Sequence, residues 1–347
     1  MLDRREFLTM TGFATAAFAL ARTVRELPEQ STVYLGGFAG DLRTGTVDDT
    51  GTLTVTGSVT GVPSASFLAF HERFLYTTNE LADGRVTAID RTTNTVLNTA
   101  STRGGGPTHL SVHPQGYLLT ANYSSGSVVV HRIDDDGSIG ESPDLVQHQG
   151  NGRDPHAHQV LPDPTGQWVL AVDLGADSVY VYGLAAGKLE QHQQLRLPDG
   201  AGPRHLAFHP DGDRVYVLGE LRPEITVAAW ADGTLTPGQV VPTAEGENFP
   251  AEIAVSGDGR FVYASNRGDD TIAVFAVADD HLNPLDATPT GGEWPRHFTL
   301  SPDERRLYVA NQNSGTVTWL PRDPATGKLG AAQGSTGVPE VGIVAFT

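Results

Sequence analysis

The sequence predicts an all-β fold, a seven-bladed β-propeller of four-stranded antiparallel blades, and three observations carry that prediction. The first is a repeat. The stretch GPTHLSVHPQGYLLTANYSSGSVVVHRIDDDGSI from Gly106 to Ile139 returns as GPRHLAFHPDGDRVYVLGELRPEITVAAWADGTL from Gly202 to Leu235 and, less closely, from Trp294 to Leu329. Weaker copies begin near Val62, Pro155 and Pro250. The residues just after each LYVA-type run are Asn79, Asn122, Asp173, Gly219, Asn266 and Asn311, spaced by 43, 51, 46, 47 and 45 residues, a period that marks an array of small units. The second observation is the pattern inside each unit. Short alternating or β-branched runs such as HLAFHP, RVYVLGE and ITVAAWA are parted by turn pairs such as DG. That reads as four strands, and apolar residues at helical spacing do not occur. The third is an echo between the ends. GVPEVGIVAF from Gly337 to Phe346 repeats GVPSASFLAF from Gly61 to Phe70, an opening strand, and TVYLGGF from Thr32 to Phe38 reads as a second strand. The C-terminal strand should therefore join the N-terminal blade and close the ring without a free edge.

Taken in order, Met1 to Ala21 precede the propeller and carry Arg4, Arg5, Phe7 and Leu8, a mild Ala/Thr/Gly stretch, and the small-residue site Ala19-Leu20-Ala21. This resembles a twin-arginine export signal, and its apolar part is too short for a membrane span. Residues 22–31 are expected to form a flexible leader, and 32–347 the propeller. The mature chain is thus expected outside the cytoplasm, periplasmic or extracellular, with no membrane span.

Composition agrees with one compact β domain. Forty glycines and 22 prolines supply many tight turns. Lys and Arg number 23 against 41 Asp and Glu, a formal charge of −18, which argues against nucleic acid as a partner. Asp134, Asp135 and Asp136 read as a solvated turn. With no cysteine, thiolate chemistry and haem attachment through cysteine are excluded.

Topology alone points to a site. In an antiparallel blade the start of the first strand and the end of the second lie on one face, and first strands line the central channel. Those positions converge on one mouth of the funnel. They hold Thr108 and His109, His156 and His158, Arg204 and His205, Ala251 and Glu252, Arg296 and His297, and, from second strands, Asn79 and Glu80, Asn122 and Tyr123, Asp173, Gly219 and Glu220, Asn266 and Arg267, Asn311 and Gln312. Such Asn and Asp residues can also serve only as turn caps. His113 and His209 fall on the opposite face, inside a repeated turn whose backbone they should bond. His156 and His158, two apart, could suit a metal pair, but no further His or Cys ligand is evident and no metal is expected.

GPRHLAFHPDG followed by YVLGEL, with PHAH upstream and SNRG downstream, resembles the seven-bladed propeller lactonase family, which includes bacterial 6-phosphogluconolactonases and fungal carboxy-muconate cyclases. The resemblance runs from Thr32 to Phe346. In the cyclases the family site is a His, two Arg and a Glu, which by motif fall on His156, Arg204, Glu220 and Arg267. The family has Asn before that Glu, where this chain has Gly219. The resemblance implies cofactor-free hydrolysis of a sugar or aldonic acid lactone, with the arginines holding an anionic group and polarising the carbonyl, His156 deprotonating water, and Glu220 assisting proton transfer. His158, His205, Asn79, Glu80, Asn122, Asp173 and Arg296 are expected to contact the substrate, a small lactone or anionic sugar derivative. The alternatives are a lactonising enzyme of the muconate cyclase type and a non-catalytic ligand-binding propeller. The four catalytic candidates are expected to be exposed within a cavity.

Overall fold

A computed structural model describes residues 30–347. The stretch expected to be an export signal and nearly all of the expected leader lie outside the described residues. Gln30 and Ser31, assigned above to the leader, instead pair with Asp48 and Val47 in the first strand.

Seven sheets of four antiparallel strands make the ring. Six blades run in simple order from the channel outward: 68–101, 107–147, 157–196, 203–242, 250–289 and 295–337 (blades 1 to 6). Blade 7 combines Gln30–Gly37, Leu42–Asp48 and Leu53–Val59 with Val341–Phe346, and that last strand is innermost, as the echo between the ends required. Closure removes the edge an open array would leave between first and last blades.

Seven apolar clusters hold the ring, several of them formed between neighbouring blades. Leu170, Val172, Val179 and Val181 of blade 3, for instance, pack on Leu206, Val215 and Val217 of blade 4. A polar device repeats beside them. Tyr76, Tyr263 and Tyr308 are fully buried on second strands, and each hydroxyl donates to a glycine carbonyl of the next blade: Gly137 at 2.9 Å, Gly327 at 2.9 Å and Gly51 at 2.7 Å. Each ring fills apolar space while its hydroxyl stays paired. On the face away from the mouth, His113 Nδ1 accepts the Gln115 N–H and His209 Nδ1 accepts the Asp211 N–H, the turn bonding expected of them. Asp163 takes the same place in blade 3 and accepts from the N–H groups of Thr165, Gln167 and Trp168.

One feature of the innermost strands aims the site. In six of the seven, pairing slips by a bulge at the mouth end: between Pro107 and His109, Ala157 and Gln159, Pro203 and His205, Pro250 and Ile253, Pro295 and His297, and, in blade 7, opposite Gly36 and Gly37. An unpaired extra residue breaks the strand's strict alternation and re-aims side chains. Hence consecutive residues, Arg204 with His205 and Arg296 with His297, line the same cavity.

Candidate active site

The bulges put Thr108, His158, Arg204 and Arg296 at equivalent places on four blades, with His109, Gln159, His205 and His297 one step further along their strands. The exits of the second strands add an outer tier: Phe38, Glu80, Tyr123, Glu220 and Arg267. Arg204 and Arg267 meet over Glu220. Arg204 Nε lies 3.2 Å from Glu220 Oε2, and Arg267 Nη2 lies 2.9 Å from Oε1. The first of these is a close charge contact without hydrogen-bond alignment, since Arg204 Nε has no hydrogen-bond partner. Arg204 also donates through Nη1 to the Ala251 carbonyl. Arg267 Nε donates to the Phe249 carbonyl at 2.8 Å. Both oxygens of Glu220 thus lie against guanidiniums, and this carboxylate ties the two arginines together.

Arg204 and Arg267 are buried, only 3% and 6% exposed, against the expectation of groups exposed in a cavity. The bulge tucks Arg204 inward between blades 4 and 5, and the turn after Asn266 folds Arg267 onto the neighbouring carbonyls. Burial, and then the guanidiniums of Arg267 and Arg296, push Arg204 down to about 9, which still leaves it charged at neutral pH. Burial likewise lowers Arg267, with Glu220 opposing. Arg296 is a third cation. Its Nη2 is 3.8 Å from Glu80 Oε2, and its guanidinium lies 5.0 Å from the centre of the Phe38 ring.

His156 stands at the outer lip, its ring stacked on Tyr123 with centroids 4.5 Å apart. Its Nδ1 lies 3.0 Å from the Tyr123 carbonyl oxygen. A carbonyl can only accept, so Nδ1 carries the hydrogen and Nε2 of the neutral ring holds the free lone pair. The backbone N–H of His156 donates to Asp173 Oδ1 at 2.8 Å. Asp173 Oδ2 is 2.7 Å from His148 Nδ1, and His148 Nε2 is 2.9 Å from the Tyr182 hydroxyl. This fully buried set anchors the segment that presents His156.

Deeper in the funnel, His205 Nδ1 lies 3.1 and 3.2 Å from the two oxygens of Glu252, and His297 Nε2 lies 3.6 Å from the same carboxyl. His109 and His158 are edge-on to His205 at 5.5 and 5.1 Å between ring centres. Burial above all, with Arg204 as a further cause, holds His158 and His205 well below the usual histidine range. Burial and then His205 do the same for His109, and burial lowers His297 to about 4. Burial raises Glu252. The inner funnel is therefore lined by neutral imidazoles. His158 Nδ1, His205 Nε2, His297 Nδ1 and Glu80 Oε2 are buried and make no hydrogen bond to the described residues, the condition of polar atoms open to a ligand or water. No group of three or more His, Asp or Glu side chains among the described residues could hold a metal ion.

Glu220, Arg204, Arg267, His158, His205, Glu80 and Arg296 thus share the funnel, with His156 at its lip. Three expected contact residues do not. Asn79 and Asn122 spend their amides on the Pro63 and Thr102 carbonyls, at 2.8 and 3.1 Å, and Asp173 is wholly taken by His156, Ala176 and His148. They end their strands one residue before the outer tier, so their side chains turn back into the packing between blades. Gly219 has a reason of its own: a Cβ there would come within 2.6 Å of the Arg222 carbonyl oxygen and 2.9 Å of that of Ala201, so an Asn cannot fit. Beyond the expected contacts, Phe38 and Trp294 each lie beneath a guanidinium, and their residue types carry no polar signal that would single them out.

A ring of seven blades whose channel mouth gathers three guanidiniums, two bridging carboxylates and a set of neutral imidazoles defines a β-propeller with a polar, charged funnel. More narrowly, the chain belongs to the lactonase family of seven-bladed β-propellers, whose family model, described as "Lactonase, 7-bladed beta-propeller", matches residues 32–346. A 6-phosphogluconolactonase of Bacillus subtilis is 40% identical over 196 residues, 53% of this chain and 56% of that protein, so the match spans little more than half of that relative. Among solved structures, a protein from Lactobacillus plantarum superposes with a TM-score of 0.87 at 34% identity, over 92% of this chain and 99% of that one. A periplasmic gluconolactonase of Pseudomonas aeruginosa gives a TM-score of 0.85 at 29% identity, over 91% and 99% of the two chains.

Proposed function

We propose that this protein hydrolyses a sugar or aldonic acid lactone, in the manner of a 6-phosphogluconolactonase, by acid/base chemistry of its own side chains. The observation that carries the reading is the pair of arginines clamped by Glu220 beside a histidine whose tautomer is set. Arg204 and Arg267, tied together by Glu220, hold an anionic group of the substrate and polarise the lactone carbonyl, Arg204 stabilising the negative charge that grows on its oxygen and Arg267 chiefly holding the anionic group. His156, with Nδ1–H bonded to the Tyr123 carbonyl, takes a proton from the attacking water through Nε2. The carbonyl carbon gains the water oxygen, the ring C–O bond breaks, and the ring oxygen leaves as a hydroxyl with the proton that the His156 imidazolium gives back, which restores the neutral ring. Arg296 adds positive charge that suits an anionic substituent, and the unpartnered imidazole nitrogens suit hydroxyl groups.

The reading extends to location. The adjacent Arg4 and Arg5 with the small-residue site at Ala19 to Ala21 support export, and the Pseudomonas relative is described as periplasmic. An exported enzyme meets sugar lactones outside the cytoplasm, so an unphosphorylated aldonolactone is as suitable a substrate as a phosphorylated one.

A panel of lactones tests this, with D-glucono-1,5-lactone and 6-phosphoglucono-1,5-lactone offered to the purified protein and the hydroxy acid product followed. Ring opening well above the spontaneous rate is expected for at least one of them. If none is opened, while a sugar acid still binds in the funnel, the protein is a ligand-binding propeller instead.

A further inference from the structure

Just before each innermost strand the chain turns a corner, and in five of the seven blades the residue at that corner is left-handed: Ser64 (φ 50°), Gly106 (58°), Gly202 (55°), Trp294 (64°) and Glu340 (50°). The strand registers make these positions equivalent, because each precedes by one the first residue of its innermost strand or the place that residue takes in blade 1. The recurrence shows that the left-handed turn belongs to the propeller's construction. Glycine adopts it freely, and a bulky side chain resists it. Trp294 is the only aromatic residue among the described positions with positive φ. The corner itself gives no reason for a tryptophan.

The surroundings do. The guanidinium of Arg267 lies 5.2 Å from the centre of the Trp294 ring. One edge of that guanidinium is held by the Phe249 carbonyl at 2.8 Å and by Glu220 Oε1 at 2.9 Å. Its Nη1 makes no hydrogen bond to the described residues, which leaves it for a ligand. Phe249 supports the indole from the side, with ring centres 6.0 Å apart. The strained corner is itself pinned, since the Trp294 N–H donates to Asp270 Oδ1 at 2.7 Å and its carbonyl accepts from Gln312 at 3.0 Å. Backbone strain that the surroundings over-determine is a sign of function.

We propose that Trp294 is a positioning residue for Arg267: the fold tolerates a strained tryptophan so that its π face fixes the plane of the guanidinium and keeps Nη1 turned toward the anionic part of the ligand. The inference rests on the reading of Arg267 as an anion-holding group. A guanidinium restrained on one face and one edge loses less freedom when an anion docks, so the contribution falls on binding more than on the chemical step.

Three variants separate this role from packing. Trp294→Phe keeps the strain and an aromatic face, Trp294→Leu keeps the strain without the π face, and Trp294→Gly removes both and restores the residue that Gly106 and Gly202 supply. Affinity for 6-phosphogluconate and D-gluconate is measured by calorimetry on the whole protein, beside KM and kcat for whichever lactone is opened, and thermal midpoints. The expected result is a loss of affinity and a rise in KM of about tenfold in the Leu and Gly variants, with kcat changed far less and Phe close to wild type. The Gly variant should unfold no earlier than wild type. Equal behaviour of Phe and Leu, an unchanged affinity in the Gly variant, or an earlier unfolding of the Gly variant in proportion to its lost affinity overturns the proposal. If no lactone is opened but the Phe and Leu variants still differ in anion affinity, the lactonase reading fails and the role of Trp294 stands; a wild-type protein that binds neither anion overturns this inference as well.

Discussion

The two faces of this propeller are built from the same repeat, yet they use their polar residues in opposite ways. At the far ends of the innermost strands, His113, Asp163, His209, Ser256 and Ser301 occupy matching turns and bond the turn or its neighbouring residues. At the mouth the matching positions diverge into Thr108, His158, Arg204, Ala251 and Arg296, and several buried polar atoms have no partner. A buried polar atom without a hydrogen bond is costly, so a fold keeps such atoms together only where a ligand or water meets them. Repetition of one turn bond marks construction, and divergence, with unpartnered polar atoms gathered about one cavity, marks the candidate site.

That contrast can be broken by substitution on either face. The largest expected effect is at the mouth: His156→Ala should lower lactone turnover by roughly 10²-fold or more if Nε2 is the base, while thermal unfolding moves little because the ring is only half-buried. Steady-state kinetics beside a melting curve checks both halves. On the opposite face the pattern should invert. Asp163→Ala leaves the Thr165, Gln167 and Trp168 N–H groups without their acceptor and should lower stability by about 2 to 3 kcal/mol in urea titrations, with kcat unchanged. A loss of activity matching that of His156→Ala would erase the distinction between the faces.

The pH dependence sharpens it further. His297 titrates near 4 when folded, below the ordinary value of 6.5. Below about pH 6.5 the unfolded chain therefore binds more protons than the folded one, so this residue's contribution to stability falls as pH drops from about 6.5 to 4. His109, His158 and His205 act in the same direction, and Glu252, raised by burial, acts against them. Urea midpoints from pH 7 to 4 should decline, and the His297→Gln variant should show a shallower decline; an equal slope in that variant removes His297 from the account. The smallest effect belongs to the inter-blade tyrosines. Tyr76→Phe removes one hydroxyl bond to Gly137 and should cost about 1 kcal/mol, read from the same titrations, with no change in KM.

The four residues drawn from the family's motifs are legible because each sits in a short polar string, PHAH, PRH, LGE and SNRG, next to a strand boundary that the repeat makes visible. Asn79, Asn122 and Asp173 differ from expectation because a strand boundary in the sequence does not separate the last residue of a strand from the first beyond it. Period-2 alternation sends the former back between blades and the latter to the funnel. Trp294 had no polar signal, and its left-handed backbone is invisible in a residue type that seldom adopts it.

By itself, then, the sequence determined the number of blades, the strand order, the way the ring closes and the face on which the candidate residues gather, because these follow from a period, an alternation and an echo between the two ends. Only the tertiary structure decided that Glu220 ties two arginines together, that His156 shows Nε2 to the lip, and that the inner imidazoles are neutral. Those facts depend on contacts between blades dozens of residues apart and on bulges one residue long. Pairing and burial between distant strands set charge, tautomer and orientation, and none of these is written in the local pattern of any single strand.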